Sequence, residues 1–168
     1  MKILGVDPAL QITGYGIIDK TDSGLRLISC GVIKTSAKQQ MPDRLKAIFS
    51  GMDKVIKSFN PDVFVIEIVF VHHAHTTTAF LLGQARGTLI LAASQNNVPV
   101  IEYAATQVKK SVVGQGHATK LQVQRMVVSQ LGLNEIPKYL DITDALALAI
   151  THSYHNANSR LIQLLSRP

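Results

Sequence analysis

The chain has 168 residues, 46 % of them hydrophobic and only 17 % charged, with 17 Lys and Arg against 11 Asp and Glu. That is one domain, large enough to bury roughly 70 % of the surface its unfolded chain would expose and too apolar for intrinsic disorder. A net charge of +6 and a pI near 9.6 point to a polyanionic partner, either nucleic acid or an anionic membrane.

The first third reads as β. KILGVD (2–7), GYGIID (14–19) and LRLISCGVIK (25–34) are short Ile-, Leu- and Val-rich runs separated by turn residues, the pattern of a three-stranded meander. From Pro42 the period changes: Leu45, Ile48, Met52, Val55, Ile56 and Phe59 recur at helical spacing until Asn60-Pro61. DVFVIEIVF (62–70) suits a strand buried on both faces. A helix over 76–94, a buried strand over 98–103, and helices over about 104–113, 119–131 and 141–156 complete the pattern. The sum is an α/β fold, a five-stranded mixed sheet with helices on both faces, occupying 1–156 and followed by a polar, flexible tail over 157–168.

Cys30 is the single cysteine, so neither an internal disulfide nor a thiolate zinc cluster is available, and a reducing, cytoplasmic setting is expected. Asp7-Pro8 cuts the first apolar run far below the length of a secretory signal, and the stretch from Gly87 to Ser94 is too short to span a bilayer.

Five of the eleven acids have apolar neighbours. Asp7 ends ILGVD, Glu67 is embedded in FVIEIVF, Glu102 ends VPVIE, and Asp141 and Asp144 open a helix continuing as ALALAI. Buried, unpaired carboxylates are costly, and two of them 4 Å apart repel by about 4 kcal/mol at an effective dielectric of 20. A cluster of acids is therefore sensible only around a cation, and hard oxygen ligands select Mg²⁺ or Mn²⁺. Glu67 belongs at the carboxyl end of a parallel strand, where sites of open α/β sheets gather, and Asp141 and Asp144 share a helix face. Turn and cap readings compete for Asp7, Asp141 and Asp144 taken singly. Glu102 reads as a strand-end residue or a salt-bridge partner. These considerations select Asp7, Glu67, Asp141 and Asp144.

ILGVDPALQITGYGIID, VIEIVF, LGQARGTLILAA, EYAATQVKKSVVGQGHATK and DITDALALAIT, in that order, closely resemble the RuvC family of bacterial crossover junction endodeoxyribonucleases, the Holliday junction resolvases. The resemblance runs from about residue 2 to 155. It implies a ribonuclease H-like fold, a homodimer, and resolution of four-way junction DNA by symmetric nicking during recombination and repair. It maps the family's four acidic ligands onto the same Asp7, Glu67, Asp141 and Asp144, holding two Mg²⁺ ions for which Mn²⁺ substitutes, and leaving 5′-phosphate and 3′-hydroxyl ends. It also implies DNA contacts by Phe70, Lys109 and Lys120, and a partnership with the RuvA–RuvB branch-migration complex at the nucleoid. Two positions depart from the family: Ala9 stands where Gly is usual, and Ile68 where Gln is usual.

Lys109, Lys110, Lys120 and Arg125 flank the loop 114–117 and suit phosphate contacts, with solvated helix charges as the alternative. Phe70, ahead of the polar loop VHHAHTTT, reads either as a wedge at a crossover or as a core residue. His72, His73 and His75 read as a solvated loop, and His152 with His155 lacks the partners of a zinc site. GQGHATK does not have the spacing of a phosphate-binding loop. The opening GVDPALQITGYG also resembles the first phosphate motif of sugar kinase and actin ATPases, which need two such domains. A non-catalytic DNA-binding module would explain the charge but not acids gathered where DNA approaches, and a generic ribonuclease H-like nuclease is the nearest enzyme rival.

Overall fold

β-Branched runs cut by turn residues fold here as strands in chain order. The computed structural model describes the backbone of residues 1–68 and 76–165 and the side chains of 1–68 and 77–155. Phe70, His72, His73 and His75 lie outside the described residues. The strands are β1 (Lys2–Asp7), β2 (Ile12–Thr21), β3 (Gly24–Lys34), β4 (Val63–Glu67) and β5 (Val100–Tyr103). The helices are α1 (Met41–Phe59), α2 (Thr76–Gln95), α3 (Ala105–Val113), α4 (Lys120–Leu131) and α5 (Leu140–Leu165). They form one sheet in the order β3-β2-β1-β4-β5, antiparallel across β3-β2-β1 and parallel across β1-β4-β5. The expected mixed five-stranded sheet is the one observed.

Three boundaries differ from the sequence reading. The meander is taller, because β2 and β3 pair from Ile12↔Lys34 to Thr21↔Gly24. β4 stops at Glu67 rather than running to residue 70, since its neighbours β1 and β5 end at Asp7 and Tyr103 and only the Ile68 N–H still finds a partner, the Tyr103 oxygen at 2.9 Å. α5 continues to Leu165, beyond the domain end expected near 156.

Strand alternation assigns the two faces of the sheet. Leu4 and Val6 of β1 with Phe64 and Ile66 of β4 point toward α1 and α2, where Ile48, Met52, Ala85 and Leu89 close the first core. Ile3, Val63 and Val65 point the other way, against Leu146, Val108, Val123 and Val127 of α5, α3 and α4. The run Ala145–Ile150 is wholly buried because α5 lies between the sheet and two further helices. The same alternation sends Asp7 and Glu67 to the α5 side.

Glycine makes this docking close. A Cβ on Gly5 would stand 2.0 Å from the Ala145 carbonyl oxygen, and one on Gly14 would stand 2.2 Å from that of Asp141. α2 is not enclosed in the same way: Ala85, Leu89, Ala92 and Ala93 face inward, while Phe80 and Leu91 are exposed. Among the described residues no helix is long and apolar enough to cross a membrane.

Candidate active site

The parallel register of β1 and β4 pairs Val6 with Ile66, so the next residues, Asp7 and Glu67, stand side by side at the strand ends. Across β2, Asp7 pairs with Gly14, the residue on which Asp141 rests. Asp141 and Asp144 lie in the first turns of α5, where the helix dipole favours negative charge. The tight connection after β1 is held by Thr13, whose hydroxyl donates to the Ala9 oxygen at 2.6 Å, so the turn closes with Ala at that position.

A cleft of about 450 Å³ opens at this end of the sheet, lined by Asp7, Glu67, Asp144, Lys109, Lys120 and Ile68 among others. Asp141 sits at its edge on Gly14. Thus three of the four selected acids and both lysines share one cavity, and the fourth acid adjoins it. Lys120 is placed by its helix cap: Thr119 accepts from the Gln122 N–H while the Gln122 side chain accepts from the Thr119 N–H at 2.8 Å. From this first turn of α4 the Lys120 ammonium reaches Asp144 Oδ2 at 3.5 Å.

The acids perturb one another. Burial, then the charges of Asp144, Asp141 and Glu67, push the Asp7 carboxyl up from its ordinary range to about 7, against the pull of Lys120. Burial and Asp144 raise Glu67, opposed by Lys120 and Lys109. Burial also raises Asp144, again opposed by Lys120. Among the described residues no three Asp, Glu, His or Cys side chains are drawn tightly enough to grip an ion as they stand. Their mutual repulsion accounts for that spacing, and the donor set itself, carboxylate oxygens with no soft ligand, fits a hard divalent cation.

Arg86 was not singled out in the sequence, although it is the one charged residue in the twenty of α2. Its guanidinium donates through Nε to the main-chain oxygen of Glu67 at 3.2 Å and through Nη2 to Glu102 Oε2 at 2.7 Å. Glu102 is therefore a salt-bridge partner, one of its two expected roles. The signal for Arg86 was legible: a lone charge in an apolar helix must find its partner on another element.

Fold and site together define a nuclease of the ribonuclease H-like class. A family model described as crossover junction endodeoxyribonuclease RuvC matches residues 3–152, and the chain belongs to that family. The crossover junction endodeoxyribonuclease RuvC of Brevibacillus brevis is 46 % identical over 94 % of this chain and 94 % of its own length. That of Proteus mirabilis is 49 % identical over 93 % of this chain and 88 % of its own. A solved structure of Thermus thermophilus RuvC in complex with Holliday junction substrate is 33 % identical, with a TM-score of 0.88, covering 95 % of this chain and 96 % of that one.

Proposed function

We propose that this chain resolves Holliday junctions by divalent-metal-dependent hydrolysis of phosphodiesters at Asp7, Glu67, Asp141 and Asp144, nicking two strands symmetrically as a homodimer. Membership of a junction-resolving endonuclease family supplies the activity. The observation that carries it to these residues is the Asp7 carboxyl, pushed to about 7 by burial and three neighbouring acids in a chain of net charge +6. A DNA-binding surface has no use for clustered negative charge except to hold cations.

The four carboxylates would hold two divalent ions, Mg²⁺ with Mn²⁺ as a substitute. When bound, such ions supply Lewis acidity that lowers the pKa of the attacking water and neutralises charge on the leaving 3′-oxygen. Arg86, tied to the end of β4, fixes the strand from which Glu67 projects. Lys120, in the cleft beside Asp144, is placed to meet an oxygen of the scissile phosphate, and Lys109 on α3 meets its neighbour. Phe70, three residues beyond Glu67, is assigned a wedge role at the crossover.

The second copy is assigned to α2. Phe80, Gly83, Gly87 and Leu91 form one exposed stripe at helical spacing, and a Cβ on either glycine would meet nothing within 4 Å. Two such stripes can approach closely, and a two-fold pair of sites matches the near two-fold symmetry of a four-way junction. The RuvA–RuvB complex is the proposed branch-migration partner, on family resemblance.

The test is strand cleavage of a synthetic four-way junction beside a linear duplex and an RNA–DNA hybrid, with Mg²⁺, with EDTA, and with Asp7→Asn. Paired symmetric nicks in the junction alone, lost with EDTA and in the variant, are expected. Cutting of the hybrid instead makes the protein a ribonuclease, and tight junction binding without cutting makes it a binding module.

A further inference from the structure

Two lysines converge on one tyrosine on the flank of the site away from Lys109 and Lys120. Lys34 closes β3, and Lys138 and Tyr139 precede α5. Lys34 Nζ donates to the Tyr139 hydroxyl at 2.5 Å and lies 4.4 Å from the ring centroid, while Lys138 Nζ lies 6.0 Å from the same centroid. Neither lysine has a carboxylate within ion-pair distance among the described residues.

That convergence is unusual for solvated lysines, which gain by pointing apart into water. The uncompensated positive field is also felt by the ring: both lysines hold the Tyr139 phenol below its ordinary range. The cluster is anchored at both ends. The Tyr139 carbonyl accepts from the Ile142 N–H at 3.1 Å, and Thr35, next to Lys34, donates its N–H to the Gln11 oxygen at 3.0 Å and accepts from Arg44 Nε at 3.1 Å.

Its position follows from the sheet register. Asp7 pairs with Gly14, Gly14 with Val32, and Lys34 is two residues further along β3. Lys34 therefore stands two strands, about 10 Å, to one side of Asp7. Tyr139 precedes Asp141 by two residues. Lys109 and Lys120 line the cleft together with Glu67 and Asp144, on the β4 side. A nucleic-acid strand laid across the acids passes from one cationic flank to the other.

We propose that Lys34, Lys138 and Tyr139 form a second phosphate-backbone contact for the junction DNA, gripping the arm that leaves the cleft on the β2–β3 side. The inference rests on the reading of the cleft as a DNA-cutting site. The two ammonium groups supply point charges, and the phenol, oriented by Lys34, adds a hydrogen bond to a phosphate oxygen.

The test measures binding of a labelled four-way junction to the full chain in EDTA, as a function of KCl concentration. Lys34→Gln with Lys138→Gln should weaken binding roughly 5- to 30-fold and lower the slope of log K against log salt by about two, one per phosphate released. Tyr139→Phe should weaken it roughly 2- to 5-fold at unchanged slope, and Lys34→Arg with Lys138→Arg should restore parental affinity. A parental Kd and slope in the Gln pair overturns the proposal, and so does weakening without a change in slope. Lys109→Gln with Lys120→Gln is the reference. If it weakens binding while the first pair does not, only this second contact fails; if neither pair changes binding, the DNA-cutting reading of the cleft fails too.

Discussion

Arg86 donates through Nε to the main-chain oxygen of Glu67 at 3.2 Å, which fixes the end of β4 from a different element. Its other arm is neutralised by Glu102, so the guanidinium sits beside the carboxylate cluster without being drawn into it. Arg86→Ala should lower the single-turnover cleavage rate roughly 10- to 100-fold, the usual cost of losing a group that orients a metal ligand. Arg86→Lys keeps the charge but not the planar fork and should fall between the two. A titration of rate against Mg²⁺ separates the causes: a positioning role raises the Mg²⁺ concentration needed for half the maximal rate. Unchanged rate and unchanged metal requirement in Arg86→Ala would remove Arg86 from the site.

The Asp7 carboxyl gives a stability prediction with a definite sign. Below about pH 4 it is protonated in both folded and unfolded chains and contributes no pH dependence. Between its ordinary value of 3.8 and about 7 the unfolded chain ionises while the folded chain keeps the proton, so metal-free stability falls across that window. Above pH 7 the full cost is present, on the order of 3–4 kcal/mol. Asp7→Asn should therefore raise the melting temperature in EDTA at pH 8 by roughly 5–10 °C, flatten its decline over pH 4–7, and cleave nothing. Added Mg²⁺ should stabilise the parent more than the variant. An unchanged or lower melting temperature would mean that the acids do not crowd one another.

The sequence disclosed the acids because their signal is local. Alternation within β1 puts Asp7 on the face of Ile3, alternation within β4 puts Glu67 on the face of Val65, and an apolar ALALAI behind Asp141 and Asp144 marks a helix that must bury against that face. Contacts between distant elements were not legible. Lys34 and Tyr139 are 105 residues apart. Arg86 meets a main-chain oxygen, which carries no residue identity to read. The end of β4 depended on where its neighbours stop, and VIEIVF alone is apolar enough to continue.

Gly14 tests whether close docking of α5 serves the chemistry. A Cβ there would meet the Asp141 carbonyl oxygen at 2.2 Å and the Asp141 Cβ at 2.8 Å, so Gly14→Ala must push the start of α5 away from β2. The overpacking should cost about 1–3 kcal/mol. Displacement of Asp141 and Asp144 by about 1 Å should slow cleavage roughly 100-fold while junction binding in EDTA is retained. Gly24→Ala is the control: it is strained at φ +128° but has open space around it, in the β2–β3 hairpin far from the cleft. It should lower the melting temperature and leave cleavage at parental rate below the melt. Equal losses of activity in the two variants would show that Gly14 matters only for stability.

The stripe on α2 separates assembly from catalysis. Phe80 is 68 % exposed and Leu91 51 %, so charging them leaves the inward residues Ala85 and Leu89 in place. Phe80→Glu with Leu91→Glu should fold with a parental melting temperature once dilute, yet sediment at the 18.3 kDa of one chain instead of twice that mass. On a four-way junction, a lone subunit holds one complete set of acids. It should therefore nick one strand per binding event, so that nicked intermediates accumulate before any junction is resolved, whereas a two-fold pair cuts both strands within one residence. Bulk tests the same face in the opposite way: Gly87→Leu fills the open space beside the helix and should weaken self-association without adding charge. A double Glu variant that still sediments as a dimer and still makes paired nicks would place the second copy on another surface.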